Sequence, residues 1–195
     1  MREISPAHNL TAEEFLGRMP QIFRVIVESI RAQKLANARP APSSNLIDSS
    51  FIANSELRSE LIDKVAALVD ENLTGRSDMC GQFALLLAMA LTKLGYPARA
   101  VAGEAAYFKE GKKIFSWEHA WVRVESEVID GNVDILYENP IIPPSVSVRP
   151  YWGLVSAVPN ERRLRQDHSL RVAEDSDVSN IWWPELEKWI SQRAK

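Results

Sequence analysis

The sequence predicts an α+β fold in which a buried central helix packs on an antiparallel sheet, with extra helices before and after it. Three observations carry this. Apolar residues recur at helical spacing through the first third of the chain, Phe83 to Leu94 is almost entirely apolar, and from Ala98 the pattern shortens toward the strand period of two. The 195 residues, 46% hydrophobic and 25% charged, fit one globular domain. A chain of this length buries roughly 70% of its unfolded surface and needs no covalent staple. Within that one domain, spanning 1–195, residues 1–75 read as an N-terminal helical part, 76–137 as the core, and 138–195 as a C-terminal extension.

Taken in order, Thr11 and Glu14 match a capping box, which opens a short helix reaching Met19. Pro20 suits the first turn of a second helix, whose apolar side is Ile22, Val25, Ile26, Ile30 and Ala32. Two prolines and four serines mark 38–50 as a linker or surface loop. Leu57, Leu61, Val65 and Leu68 predict a helix from Ser55 to Asn72, closed by Gly75. Ser77 or Asp78 is placed to cap the central helix, which puts Cys80 in its first turn, and Gly95 and Pro97 close it. Ala98 to Phe108 and Ile114 to Val124 flank the turn Lys109-Glu110-Gly111-Lys112 as a hairpin, and Val128 to Leu136 supplies a third strand. Four prolines make 139–150 irregular, the stretch through Asp177 has no clear period, and Pro184 opens a last helix to Arg193 that buries Leu186, Trp189 and Ile190.

Composition narrows the function classes. A net charge of −3 lacks the concentrated basic face of a nucleic-acid partner, and the cluster Arg162, Arg163, Arg165 and Arg171, broken by Glu161 and Asp167, reads as a solvated surface segment. The longest apolar run, Phe83 to Leu91, falls well short of the roughly 20 residues of a membrane span. Met1 to Leu10 has no secretory pattern, and a single cysteine forms no internal disulfide, so a cytoplasmic, reducing setting is expected. No metal or cofactor is expected.

The chemistry gathers around that cysteine. At a helix start, unpaired amides and the positive end of the helix dipole favour the thiolate, the form that attacks carbonyl carbon. One of only three histidines, His119, lies inside a strand, whereas His8 and His168 have unstructured surroundings. If Glu125 and Ser126 form a two-residue turn, His119 faces Asn132, and Asp130 is its diagonal neighbour on the same face. A carboxylate beside an imidazole fixes its tautomer and stabilises its cation, as a Cys-His pair requires. Trp117 and Trp121 flank the histidine as candidate walls for substrate, Glu118 points to the opposite face, and Gln82 and Asn132 are weaker candidates for an oxyanion donor and an alternative orienting group.

A cysteine opening a buried helix, then Gly95-Tyr96-Pro97-Ala98-Arg99-Ala100-Val101-Ala102-Gly103, His119-Ala120-Trp121-Val122 and Val128-Ile129-Asp130, resembles the transglutaminase-like core of the papain-type cysteine enzymes. The resemblance covers about Met79 to Asp134. It implies a papain/transglutaminase-like core with Cys80 as nucleophile, His119 as general base and acid, and Asp130 as orienting carboxylate. Gly81 departs from the aromatic residue that often follows the nucleophile, and Ser77-Asp78-Met79 does not match the Arg-Gly-Gly-x-Cys of arylamine N-acetyltransferases. The implied activity is hydrolysis of an amide or peptide bond in a peptide, amide or protein substrate through a thioester. The alternatives are a transamidating acyltransferase and a catalytically silent binding module of the same fold.

Overall fold

The computed structural model describes residues 20–36, 39–72, 75–171 and 177–193. Four α-helices and six strands are found among them: α1 (Gln21–Ala36), β1 (Ile47–Ser49), α2 (Ser55–Asp70), α3 (Cys80–Lys93), β2 (Ala98–Lys109), β3 (Lys112–Val124), β4 (Glu127–Asp130), β5 (Tyr151–Leu154), β6 (Arg162–Ser169) and α4 (Trp183–Arg193). The fold is therefore mixed α+β. The expected helix from Thr11 to Met19, and His8 with it, lie outside the described residues.

Helix α3 is the centre of the core. Phe83 to Ala88, Ala90 and Leu91 are all buried, and they pack with Leu61, Val65 and Leu68 of α2 and with Ala100, Ala102, Ala120 and Val122 of the central hairpin. The small alanines on β2 and β3 let a helix rich in leucine seat closely on the sheet. The α4 residues Leu186 and Ile190 close the same cluster, with Trp189 half-buried beside them. On α1 the inward side is Val27 and Ile30; Val25 is 60% exposed and Ala32 is also exposed.

The sheet runs β1-β5-β4-β3-β2-β6. It is mixed rather than wholly antiparallel, since β1 pairs parallel with β5 through Ile47↔Tyr151. The expected linker at 38–50 thus contains an edge strand, held by the buried Arg58 of α2, whose Nε and Nη2 donate to Asp48 Oδ2 at 3.0 and 2.7 Å. The β2-β3 hairpin turns through Glu110 and Gly111, both at positive φ (52° and 76°), the mirror-image turn that matches strand twist. The β3-β4 register, Val124↔Glu127 to Val122↔Ile129, follows from the two-residue turn Glu125-Ser126. β4 then ends at Asp130, six residues short of the expected Leu136. A Cβ on Gly131 would lie 2.7 Å from Phe83 and 2.8 Å from Ile62, so the chain presses on α3 and leaves the sheet here.

Residues 151–169, which have no clear period in sequence, hold β5 and β6. β6 includes three of the four arginines read as a solvated segment. It is an edge strand, and its outward charges are an ordinary protection against edge pairing, but Arg162 points inward and is 2% exposed. No helix among the described residues is long and apolar enough to cross a membrane.

Candidate functional site

The segment ahead of α3 is tied down by polar contacts on several sides. Asn132 Nδ2 donates to Arg76 O at 2.8 Å, Ser77 Oγ donates to Glu138, and Asn139 Nδ2 donates to Asp78 Oδ1 at 2.9 Å. Ser77 and Asp78 therefore bind the 131–139 loop instead of capping the helix. The N-cap is Met79, and it makes no side-chain cap hydrogen bond. The first intrahelical bond runs from Phe83 N to Met79 O at 2.9 Å, so the amides of Cys80 and Gly81 precede the helical ladder. Cys80 itself is half-buried.

His119 lies at the centre of β3, opposite Gly103, and is 1% exposed. Its Nε2 donates to Asp130 Oδ1 at 2.8 Å. The carboxylate's other oxygen, Oδ2, accepts from Arg162 Nη1 at 2.6 Å, and Arg162 Nη2 donates on to Arg149 O. The side chains of His119, Asp130 and Arg162 have no exposed surface. Burial raises the Asp130 pKa, but His119 and Arg162 outweigh it and hold the carboxyl below its ordinary value. Burial likewise opposes a charged imidazole. The Asp130 carboxylate overcomes it, with a further contribution from the Cys80 side chain, and the imidazole is pushed up to about 10.

With Nε2 committed to Asp130, the remaining nitrogen, Nδ1, is buried and has no hydrogen-bond partner among the described residues. It is the ring nitrogen that Asp130 leaves uncommitted. Trp117 stacks on the imidazole at 5.6 Å and 12°, and Trp121 leans on it at 6.3 Å and 31°. Both indoles hold the ring in place. Trp117 also donates from Nε1 to the Tyr107 hydroxyl at 3.4 Å, and burial raises the Tyr107 phenol, with a smaller contribution from Asp130.

No protein-family model, curated protein or solved structure matches this chain. The site is described by its own residues.

His119 and Asp130 are brought together, with Trp117 and Trp121 against the imidazole, and Cys80 makes no hydrogen bond to the ring. Glu118 and His168 are exposed, Gln82 is half-buried, and Asn132 is a buried tie to the loop before α3. Arg162 is the residue that sequence reasoning places wrongly. A charged side chain in a basic run belongs on the surface by default. The signal against that default is the alternation Arg162, Leu164, which faces Tyr107 and Ala105 across the β2-β6 ladder. Among the described residues, no group of three or more His, Cys, Asp or Glu is arranged to hold a metal ion.

Proposed function

We propose that this chain is a cysteine-dependent acyl-transfer enzyme that hydrolyses an amide or peptide bond. The observation that carries the reading is His119, with one nitrogen held by a buried, doubly bonded Asp130 and the other left for the only cysteine. In the proposed reaction the Cys80 sulfur acts as the thiolate nucleophile and His119 as the imidazolium acid. The thiolate attacks the carbonyl carbon and a C–S bond forms. The oxyanion is held by the Cys80 amide, which the helix leaves unused. His119 Nδ1–H then protonates the leaving amine, and the C–N bond breaks to give a thioester. Neutral His119 takes a proton from water, hydroxide attacks the thioester, and the acid departs as the thiolate and imidazolium re-form.

Supporting this reading, the order of Cys80, His119 and Asp130 along the chain, the short ladder between β3 and β4, and the buried helix opening at the nucleophile fit the transglutaminase-like, papain-type core that the sequence resembles. Trp117 and Trp121 keep the imidazole in register and shield its charge from water. Peptides and amides are the substrate class, the setting is cytoplasmic, and neither nucleic acid nor membrane is a partner.

The test is the rate of iodoacetamide alkylation at pH 6, in wild type and in His119→Ala; the one cysteine makes the signal unambiguous. The expected result is fast modification in wild type and about a tenfold or greater loss in the variant. A peptide-amide library should then release amine with wild type and not with Cys80→Ala. Equal alkylation of the two proteins sinks the catalytic reading and leaves a binding module of the same fold. Incorporation of added amine in place of water would reassign the reaction to transamidation.

A further inference from the structure

A cavity of about 710 Å³ opens beside the buried Arg162, in the volume range of small-molecule sites. Its walls include Trp121, Phe108 and Val128 together with three arginines, Arg123, Arg162 and Arg163. No Asp or Glu among the described residues lines it, although the whole chain is net negative at −3. Neither Cys80, His119 nor Asp130 lines it, but Trp121 and Arg162, which touch His119 and Asp130, do, so the cavity adjoins the site above.

The arginines are not spent on one another or on carboxylates to the same degree. Arg162 is bound to Asp130 and Arg149 O, but its Nε is buried with no partner. Arg123 has a buried, unpartnered Nε, and its side chain makes no hydrogen bond or ion pair among the described residues. Arg163 lies over the Phe108 ring at 4.6 Å, which places a cation on the cavity's aromatic wall without neutralising it. A cavity wall that carries cations and no carboxylate favours an anion. A planar, multiply donating cation fits a carboxylate or phosphate better than any neutral group.

We infer that this cavity binds a small oxyanion carried on an apolar, ring-sized body, with Arg123 and Arg163 holding the anionic head and Trp121, Phe108 and Val128 enclosing the body. A carboxylate and a phosphate share this chemistry.

The test is isothermal titration of the full chain with phenylacetate and phenyl phosphate, against the neutral phenylacetamide and the cationic benzylamine. One or both anions bind, the tighter of the two identifying the head group, while the neutral and cationic probes are weaker by about tenfold or more, as the loss of a charge-assisted hydrogen bond requires. Arg123→Gln, with its fold checked by circular dichroism, weakens anion binding by a similar factor, and Arg123→Lys recovers part of it. Cys80→Ala binds as wild type does, so the cavity's function stands or falls independently of the catalytic proposal. Phenylacetamide binding as tightly as phenylacetate would overturn the inference. So would unchanged binding in both Arg123→Gln and Arg163→Gln, or no binding of either anion at millimolar concentration.

Discussion

At the scale of single residues, Asp130 determines the state of the site. Its two oxygens are divided between His119 Nε2 and Arg162 Nη1, so one buried carboxylate orients the imidazole and is itself clamped. Because the carboxylate is the largest influence raising the imidazole against burial, Asp130→Asn should bring the His119 pKa down from about 10 to its ordinary 6.5 or lower. Titration of the imidazole Cε1 proton by NMR measures this directly. A value still near 10 in the variant would mean that the charge comes from elsewhere.

At the scale of elements, the site depends on where β4 stops. Had β4 continued to Leu136, as its apolar residues predict, the β3-β4 ladder would run on past His119 and Asn132 would be paired in it instead of tying down the segment before α3. Gly131 prevents that, since its backbone presses on Phe83 and Ile62. Gly131→Ala should therefore destabilise the protein by about 1–3 kcal/mol, the usual cost of overpacking a filled core. Urea unfolding checks it. As a comparison, Asn54→Ala removes the α2 cap, in which Asn54 Oδ1 accepts from Leu57 N at 2.8 Å, and should cost about 1 kcal/mol without touching the site. If Gly131→Ala costs no more than Asn54→Ala, the close approach is not limiting.

Across the whole molecule, a buried polar network ties the N-terminal part to the loop before Cys80. Arg39 donates to Asp70 and Glu138, Arg76 to Asp70 and Asp134, and Ser77 to Glu138. The Glu138 side chain has no exposed surface and that of Arg39 only 7%. Glu138→Ala leaves the buried Arg39 without the carboxylate that accepts from its Nε and Nη2 and should cost about 3 kcal/mol or more in denaturant unfolding. A loss within a few tenths would show that the network rearranges around Asp70.

The buried pair also links stability to pH across the molecule. His119 is raised above its ordinary 6.5 to about 10, so its contribution is full below pH 6.5 and is lost as pH rises through 10. Asp130 is lowered from 3.8, so its share is full above that value and is lost as the solution becomes more acidic. The stability gap between wild type and His119→Gln should be greatest between pH 4 and 6.5 and narrow steadily toward pH 10. Thermal unfolding across that range checks it, and a constant gap would contradict the raised imidazole.

The sequence by itself determined the elements whose signals are local. Helix α3 is legible because fourteen residues from Cys80 to Lys93 are nearly all apolar and closed by Gly95, and the β2-β3 and β3-β4 turns because two-residue turns set register. From that register follows the placing of Asp130 beside His119. Only the tertiary structure decided the rest. β1 and β6 are edge strands, whose charged and polar residues are tolerated because one side faces water, so beyond the pair Arg162 and Leu164 no alternation marks them. Arg162 is buried because Asp130 needs a second partner, and that need arises only once β6 lies beside β2 and the carboxylate is enclosed. The inward face of a charged residue is set by what it meets across the fold, and a spacing of two within one strand does not name the partner.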